Sequence, residues 1–240
     1  MRMLTATLRF ALALTALAVM AVPARAQLTS ITGLFTTGVN ASNVLLGNNV
    51  TDAHYVITAK PAAAPANNLG SSRTITTPTG GWTANTSTAR WVTTPGTASN
   101  GGGSGGTNAN RVLGDFDYTL TFTMPAGAQL TTVSITGTAA AGDSATIYVN
   151  GTLVSGQSIA GSASTSSFTL DSTNSAFGSG SNTIMFRVNN AVNKSSSGLF
   201  VGSMSGSVIV PENAAYLPAA GAVGIYGLLA LRRRWRMRRD

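Results

Sequence analysis

The stretch Asp117-Tyr118-Thr119-Leu120-Thr121-Phe122-Thr123-Met124 alternates between polar and apolar side chains without a break. Successive side chains of an extended chain point to opposite faces. Period two therefore predicts a strand with Tyr118, Leu120, Phe122 and Met124 in the core and Asp117, Thr119, Thr121 and Thr123 outside. The same reading extends downstream. Thr131–Thr138 puts Val133 and Ile135 inward, and Asn182–Val188 buries Ile184, Phe186 and Val188 while Arg187 points out. Ala145–Val149 and Thr152–Val154 flank Asn150-Gly151, two residues that accept the positive φ of a type I′ turn, and so predict a hairpin. Leu199–Val210 reads as a strand pair with small residues at its middle.

Upstream, Ile31–Val39 and Tyr55–Ala59 are apolar β-prone runs, and Trp82–Val92 holds two tryptophans. No stretch between the two ends sustains a helical period. A Gly-rich segment, about 99–110, separates the halves and reads either as a linker or as a long loop inside one sandwich. The residues before it are too polar to bury a core of their own, which favours one all-β domain over 27–210. No Gly-Lys-Ser/Thr follows the glycines, so a phosphate loop is not supported.

Charge excludes several functions. The chain of 240 residues carries 15 Lys+Arg and 7 Asp+Glu, a formal +8, but the excess sits at its ends. Residues 1–26 contribute three arginines and no acid, and residues 211–240 six arginines against two acids. Between them six cations meet five acids, scattered singly, whereas nucleic-acid binding needs clustered cations to displace counterions. There is no Cys and one His, so thiolate chemistry and a multi-histidine metal centre are excluded. Only 9% of residues are charged, against about 25% in an average soluble protein. That composition fits an exported β-protein better than an intracellular enzyme.

The ends themselves read as addresses. Arg2 and Arg9, the apolar run Phe10–Val22, and Ala24-Arg25-Ala26 before Gln27 form a secretory signal over 1–26; an uncleaved anchor is the alternative. At the other end Val210-Pro211-Glu212 precedes an apolar segment, Ala214–Leu231, and an arginine block beginning Arg232-Arg233-Arg234. A helix over that segment reaches about 27 Å, barely a hydrocarbon core, with the arginines held on the cytoplasmic side. It suits transient membrane insertion; a permanent anchor is the other reading.

This tripartite end, 211–240, resembles the PEP-CTERM sorting signal of Gram-negative envelope proteins, with Asn213 in place of the usual second proline. The resemblance implies an exosortase-like processing enzyme as partner and a host that makes exopolysaccharide. A second resemblance rests on Ile31-Thr-Gly-Leu-Phe-Thr-Thr-Gly-Val39, Asp52-Ala-His-Tyr55, Trp82–Trp91, Asp117–Phe122, Ile147-Tyr-Val-Asn-Gly151 and Ser181–Phe186. In that order they are similar to galactose-binding-like jelly rolls of carbohydrate-binding modules. The resemblance implies a single jelly-roll-type β-sandwich, flanked here by the signal helix and a short C-terminal membrane helix.

Candidate chemistry is sparse. Asp115 and Asp117 share a strand face roughly 6–7 Å apart, but glycosidase carboxylates normally face each other across a cleft, so a solvated strand start is expected. Asp52 and His54 could orient a serine, yet no Gly-x-Ser-x-Gly elbow is present. Trp82 and Trp91 are nine apart, an odd spacing that puts them on opposite faces of a strand, with Trp91 expected in the core. Aromatic faces stack on sugar rings while polar groups satisfy hydroxyls. Trp82, Tyr55, His54, Asn85 and Arg90 are accordingly the expected ligand-binding set, with a purely structural role for the tryptophans left open. No cofactor is expected and no metal is assigned to a named site; bound calcium, which jelly rolls can hold with Asp and backbone carbonyl oxygens, is left open, and Gly142-Asp143-Ser144 and Asn189-Asn190 read first as turn residues. The sequence points to an exported, non-enzymatic envelope protein that contacts extracellular polysaccharide; a structural or adhesive protein without a ligand pocket is the alternative.

Overall fold

The computed structural model describes residues 26–78, 81–95, 112–191 and 197–211. Residues 1–25 of the expected signal segment, the Gly-rich segment, and Glu212 with the apolar and arginine segments after it lie outside the described residues. The chain divides into a unit over Leu28–Ile209 and a unit formed by its two ends, of which only Ala26–Gln27 and Val210–Pro211 are described.

Eleven strands follow in order: β1 (Ala26–Ser30), β2 (Thr51–Ala59), β3 (Gly70–Ile75), β4 (Trp91–Thr93), β5 (Gly114–Thr123), β6 (Ser134–Gly142), β7 (Ser144–Val149), β8 (Thr152–Ile159), β9 (Ser166–Asp171), β10 (Ser181–Asn190) and β11 (Gly198–Pro211). They form one sheet in the order β8-β7-β10-β5-β2-β3-β4-β11-β6-β9, with β1 on β11. Strands from both sides of the Gly-rich segment thus share one sheet. The sheet curls so that its end strands β8 and β9 meet, and across the core Phe168 of β9 packs edge-on against Phe186 of β10 at 5.7 Å. At the seam between β8 and β9 the Gln157 amide oxygen accepts the Thr169 N–H at 3.0 Å. The product is a sandwich bordering on a barrel. Among the described residues no helix is long and apolar enough to cross a membrane.

Periodicity places the core. Phe116, Tyr118, Leu120 and Phe122 of β5 interleave with Ile184, Phe186 and Val188 of β10, all buried. Each such side chain contributes roughly 1.5–3 kcal/mol by leaving water. The hairpin turns as its sequence predicts, with Asn150 at φ 49° and Gly151 at φ 80° and Val149 paired to Thr152.

Three expectations fail. Ile31–Val39 is not a strand: Gly33 and Gly38 adopt positive φ, and the run crosses the sandwich by isolated bonds such as Thr37 N–H to Val201 O. Leu199–Val210 belongs to one continuous strand, not a pair. It absorbs its irregularity as a register shift between Val201 and Ser203 against β6. Asp117 is not a solvated strand start, being only 5% exposed. It sits opposite Arg187, whose guanidinium supplies the charge and hydrogen bonds a buried carboxylate requires.

Candidate functional site

The five residues singled out from sequence are spent on the fold in most cases. Tyr55 is buried and donates its hydroxyl to the Phe35 carbonyl at 2.6 Å. Asn85 is a clamp: its amide donates to the carbonyls of Ile75 (2.8 Å) and Thr76 (2.9 Å), and its oxygen accepts the Trp91 N–H at 2.8 Å. Arg90 donates to the Leu46 carbonyl and so ties down the 38–46 loop. His54 stacks on Phe35 with centroids 3.6 Å apart and planes 10° from parallel. Its buried Nε2 has no hydrogen-bond partner. Trp91 is fully buried, as expected, but the opposite-face arrangement fails: Trp82 lies outside the strands and packs, partly buried, against Trp91 at 4.2 Å. Beneath the pair is Gly198, where an added Cβ would stand 2.7 Å from Trp82 Cζ3.

Nor do Asp52 and His54 form a catalytic pair. Asp52 is buried, and its two oxygens accept the N–H groups of Gly38 (2.7 Å) and His54 (2.8 Å). Burial pushes its carboxyl above the ordinary 3.8, and those donors, with the charge of His54, pull it partly back. The carboxylate therefore staples the Gly38 turn to β2. Among the described residues no three His, Cys, Asp or Glu converge as a metal site.

A different surface brings chemistry together: the outer face of β8, β7, β10, β5 and β2. Leu153 pairs with Tyr148, Tyr148 with Met185, Met185 with Thr119, and Thr119 with Val56, one continuous cross-strand row. At about 4.8 Å between strands the row is about 19 Å long. Solvated sheet faces are usually polar, yet four of these five residues are apolar; Leu153 is 50% exposed and Tyr148, Met185 and Val56 are half-buried.

The next row is charged. Arg187 donates from Nε and Nη2 to Asp117 Oδ1 and Oδ2, each at 2.8 Å, and its Cζ lies 4.9 Å from the Tyr148 ring centroid. The diagonal register makes that reach available: Tyr148 opposes Met185, two residues before Arg187 on the same face. Beyond it Asn189 donates to Asp115 at 2.6 Å, and the hydroxyls of Thr58 on β2 and Thr119 on β5 share a bond of 2.9 Å. Hydrogen bonding to Asp117 holds the guanidinium above its ordinary value, and the fields of Tyr148 and Asp115 add to the effect. The result is an outer sheet face with an apolar row, one tyrosine ring with a fixed cation over it, and carboxylate and amide groups beside it. Sequence reasoning missed it because Asp117, Tyr148 and Arg187 are far apart in the chain. The outward assignment of Arg187 and the alternation Ile147-Tyr148-Val149 were the available signals.

Fold and face together define an all-β protein with an amphipathic sheet surface. No family model matches the chain, and no curated protein matches it. Solved structures similar to it include the carbohydrate-binding module CBM36 in complex with calcium and xylotriose, at 12% identity over 39% of this chain and 72% of that one, TM-score 0.25. Another is the CBM36-1 domain of a multidomain xylanase from the hindgut metagenome of Trinervitermes trinervoides, at 10% identity over 77% and 96%, TM-score 0.28. The β-glucuronidase of Ruminococcus gnavus with D-glucuronic acid matches at 13% over 78% of this chain but 30% of that one, TM-score 0.34. Likeness at this level says nothing about a ligand.

Proposed function

We propose that the chain is an exported, non-enzymatic envelope protein whose β-sandwich binds a polysaccharide on the outer face of β8-β7-β10-β5-β2. One observation carries this reading: the in-register row Leu153, Tyr148, Met185, Thr119 and Val56, flanked by Arg187, Asp117, Asn189 and Asp115. Sugar rings present apolar C–H patches and equatorial hydroxyls at once, and a surface that sets an apolar row, with one aromatic ring in it, beside fixed polar groups answers both. A non-catalytic role is supported by the commitment of Asp52 to backbone donors and of Asp117 to Arg187. Neither carboxylate stands ready to move a proton. The PEP-CTERM-like end and the signal segment support export, processing by an exosortase-like enzyme and residence at the cell surface. Affinity electrophoresis of the protein through gels containing soluble polysaccharides tests the binding. Retardation on at least one polymer is expected. Unchanged mobility on a broad panel that includes the producer's own polymer favours the structural or adhesive alternative instead.

A further inference from the structure

Resting on that glycan reading, we infer that the face takes several consecutive rings of one free chain, laid across the strands from Leu153 to Val56, and not a terminal sugar or a crystalline polymer surface. The direction follows from where the apolar side chains lie. Across the strands Leu153, Tyr148, Met185 and Val56 are apolar, and only Thr119 interrupts them. Along a strand the pattern is lost. On β10 the outward neighbours of Met185 are Thr183 and Arg187, and on β5 those of Thr119 are Asp117 and Thr121, all polar. A chain following one strand would leave the apolar row after one ring, whereas a chain crossing the strands keeps it beneath successive rings.

The same neighbours border the row. Outward residues two apart on a strand stand about 6.7 Å from each other, so polar groups flank the apolar row on both sides. Arg187 with Thr146 lies on one side, and Thr183 with Thr121 on the other. Hydroxyls project from both edges of a sugar chain, and a chain on the row meets hydrogen-bonding groups at each. A pyranose unit advances a chain by about as much as one strand spacing, so a row of about 19 Å is matched by about four units. Each ring over the row adds contact, and affinity accumulates with length until the row is filled. A sheet whose end strands β8 and β9 meet is not planar across five strands, and successive strands turn by roughly 20–25°. A free chain can bend to follow that surface; a crystalline face cannot.

The test begins with affinity gels of galactomannan, xylan, mixed-linkage β-glucan, alginate and the producer's own polymer. Di-, tetra- and hexasaccharides prepared by partial hydrolysis of whichever polymer retards the full-length protein are then titrated calorimetrically. Affinity is expected to rise at least about tenfold from di- to tetrasaccharide, and less than about threefold from tetra- to hexasaccharide. Leu153→Ser and Val56→Thr stand at the two ends of the row and are checked for folding by circular dichroism. Each is expected to weaken the tetrasaccharide about threefold and to spare the disaccharide. Centrifugation with microcrystalline cellulose or chitin is expected to leave the protein in solution. Equal affinity for all three lengths, a tetrasaccharide indifferent to both end variants, or co-sedimentation with a crystalline polymer overturns this inference and leaves the glycan reading standing. No retardation by any gel overturns both.

Discussion

Arg187 and Asp117 face each other across β10 and β5 in register, joined by two parallel N–H···O bonds of 2.8 Å. Their exposures differ: the Asp117 side chain is 7% exposed and that of Arg187 37%. The carboxylate belongs to the fold, and the guanidinium, resting against Tyr148, belongs half to the surface. That division explains how an ion pair can exist in a chain so poor in charge and still shape a face.

Removing the cation strands a buried anion. Arg187→Met is expected to cost about 1–3 kcal/mol, less than for a fully buried pair because the arginine is partly screened by solvent. Asp117→Asn added to it should restore a large part. Urea denaturation of the two single variants and the double variant measures the coupling; simple additivity would show that the pair has no mutual stabilisation.

Gly198→Ala addresses the tryptophan pair. A methyl group at this position collides with Trp82 and must displace it from Trp91 or distort β11. A loss of about 1–3 kcal/mol is expected, as for other overpacked sites, together with a weakened near-ultraviolet dichroism of the indoles. A variant with unchanged spectrum and midpoint would contradict the packing described.

Asp52 makes a prediction about acid stability. Because burial raises its carboxyl above 3.8, the folded state holds the proton more tightly than the unfolded chain does. Its contribution to stability is full below 3.8 and is lost as pH rises through the folded value. The unfolding free energy of the wild type minus that of Asp52→Asn should therefore fall with rising pH across that window and level off above it. A difference that rises with pH would mean that the N–H groups of Gly38 and His54 outweigh desolvation.

Much of the sheet was legible because its strands are half-buried and their alternation is intact, as in β5, β10 and the β7–β8 hairpin. Alternation fails as a guide where backbone conformation intervenes: Gly33 and Gly38 bend Ile31–Val39 out of any strand despite its apolar run. The site was less legible for another reason. Tryptophan draws attention as a sugar platform, but Trp82 and Trp91 stack on each other and on the core. The residues that share the outer face meet only through register. The pairing of Tyr148 with Met185 and of Arg187 with Asp117 is a tertiary fact that no local pattern contains.

For the proposed sorting signal, a chain stopped at Pro211, the last residue of β11, keeps every described strand and lacks the apolar and arginine segments. Expressed in an exosortase-bearing host, it is expected in the medium or periplasm, whereas the full chain stays with the envelope. Identical fractionation of the two would refute the address reading.

The central claim, that the outer sheet face and not the surface at Trp82 meets the glycan, is tested most directly by calorimetric titration. Tyr148→Ala and Trp82→Ala would be measured beside the wild type with the polymer that retards it. Loss of the half-buried ring is expected to weaken binding about tenfold, the equivalent of about 1.4 kcal/mol, while Trp82→Ala stays within a factor of about three. Wild-type affinity in a folded Tyr148→Ala together with loss of binding in Trp82→Ala would contradict the account.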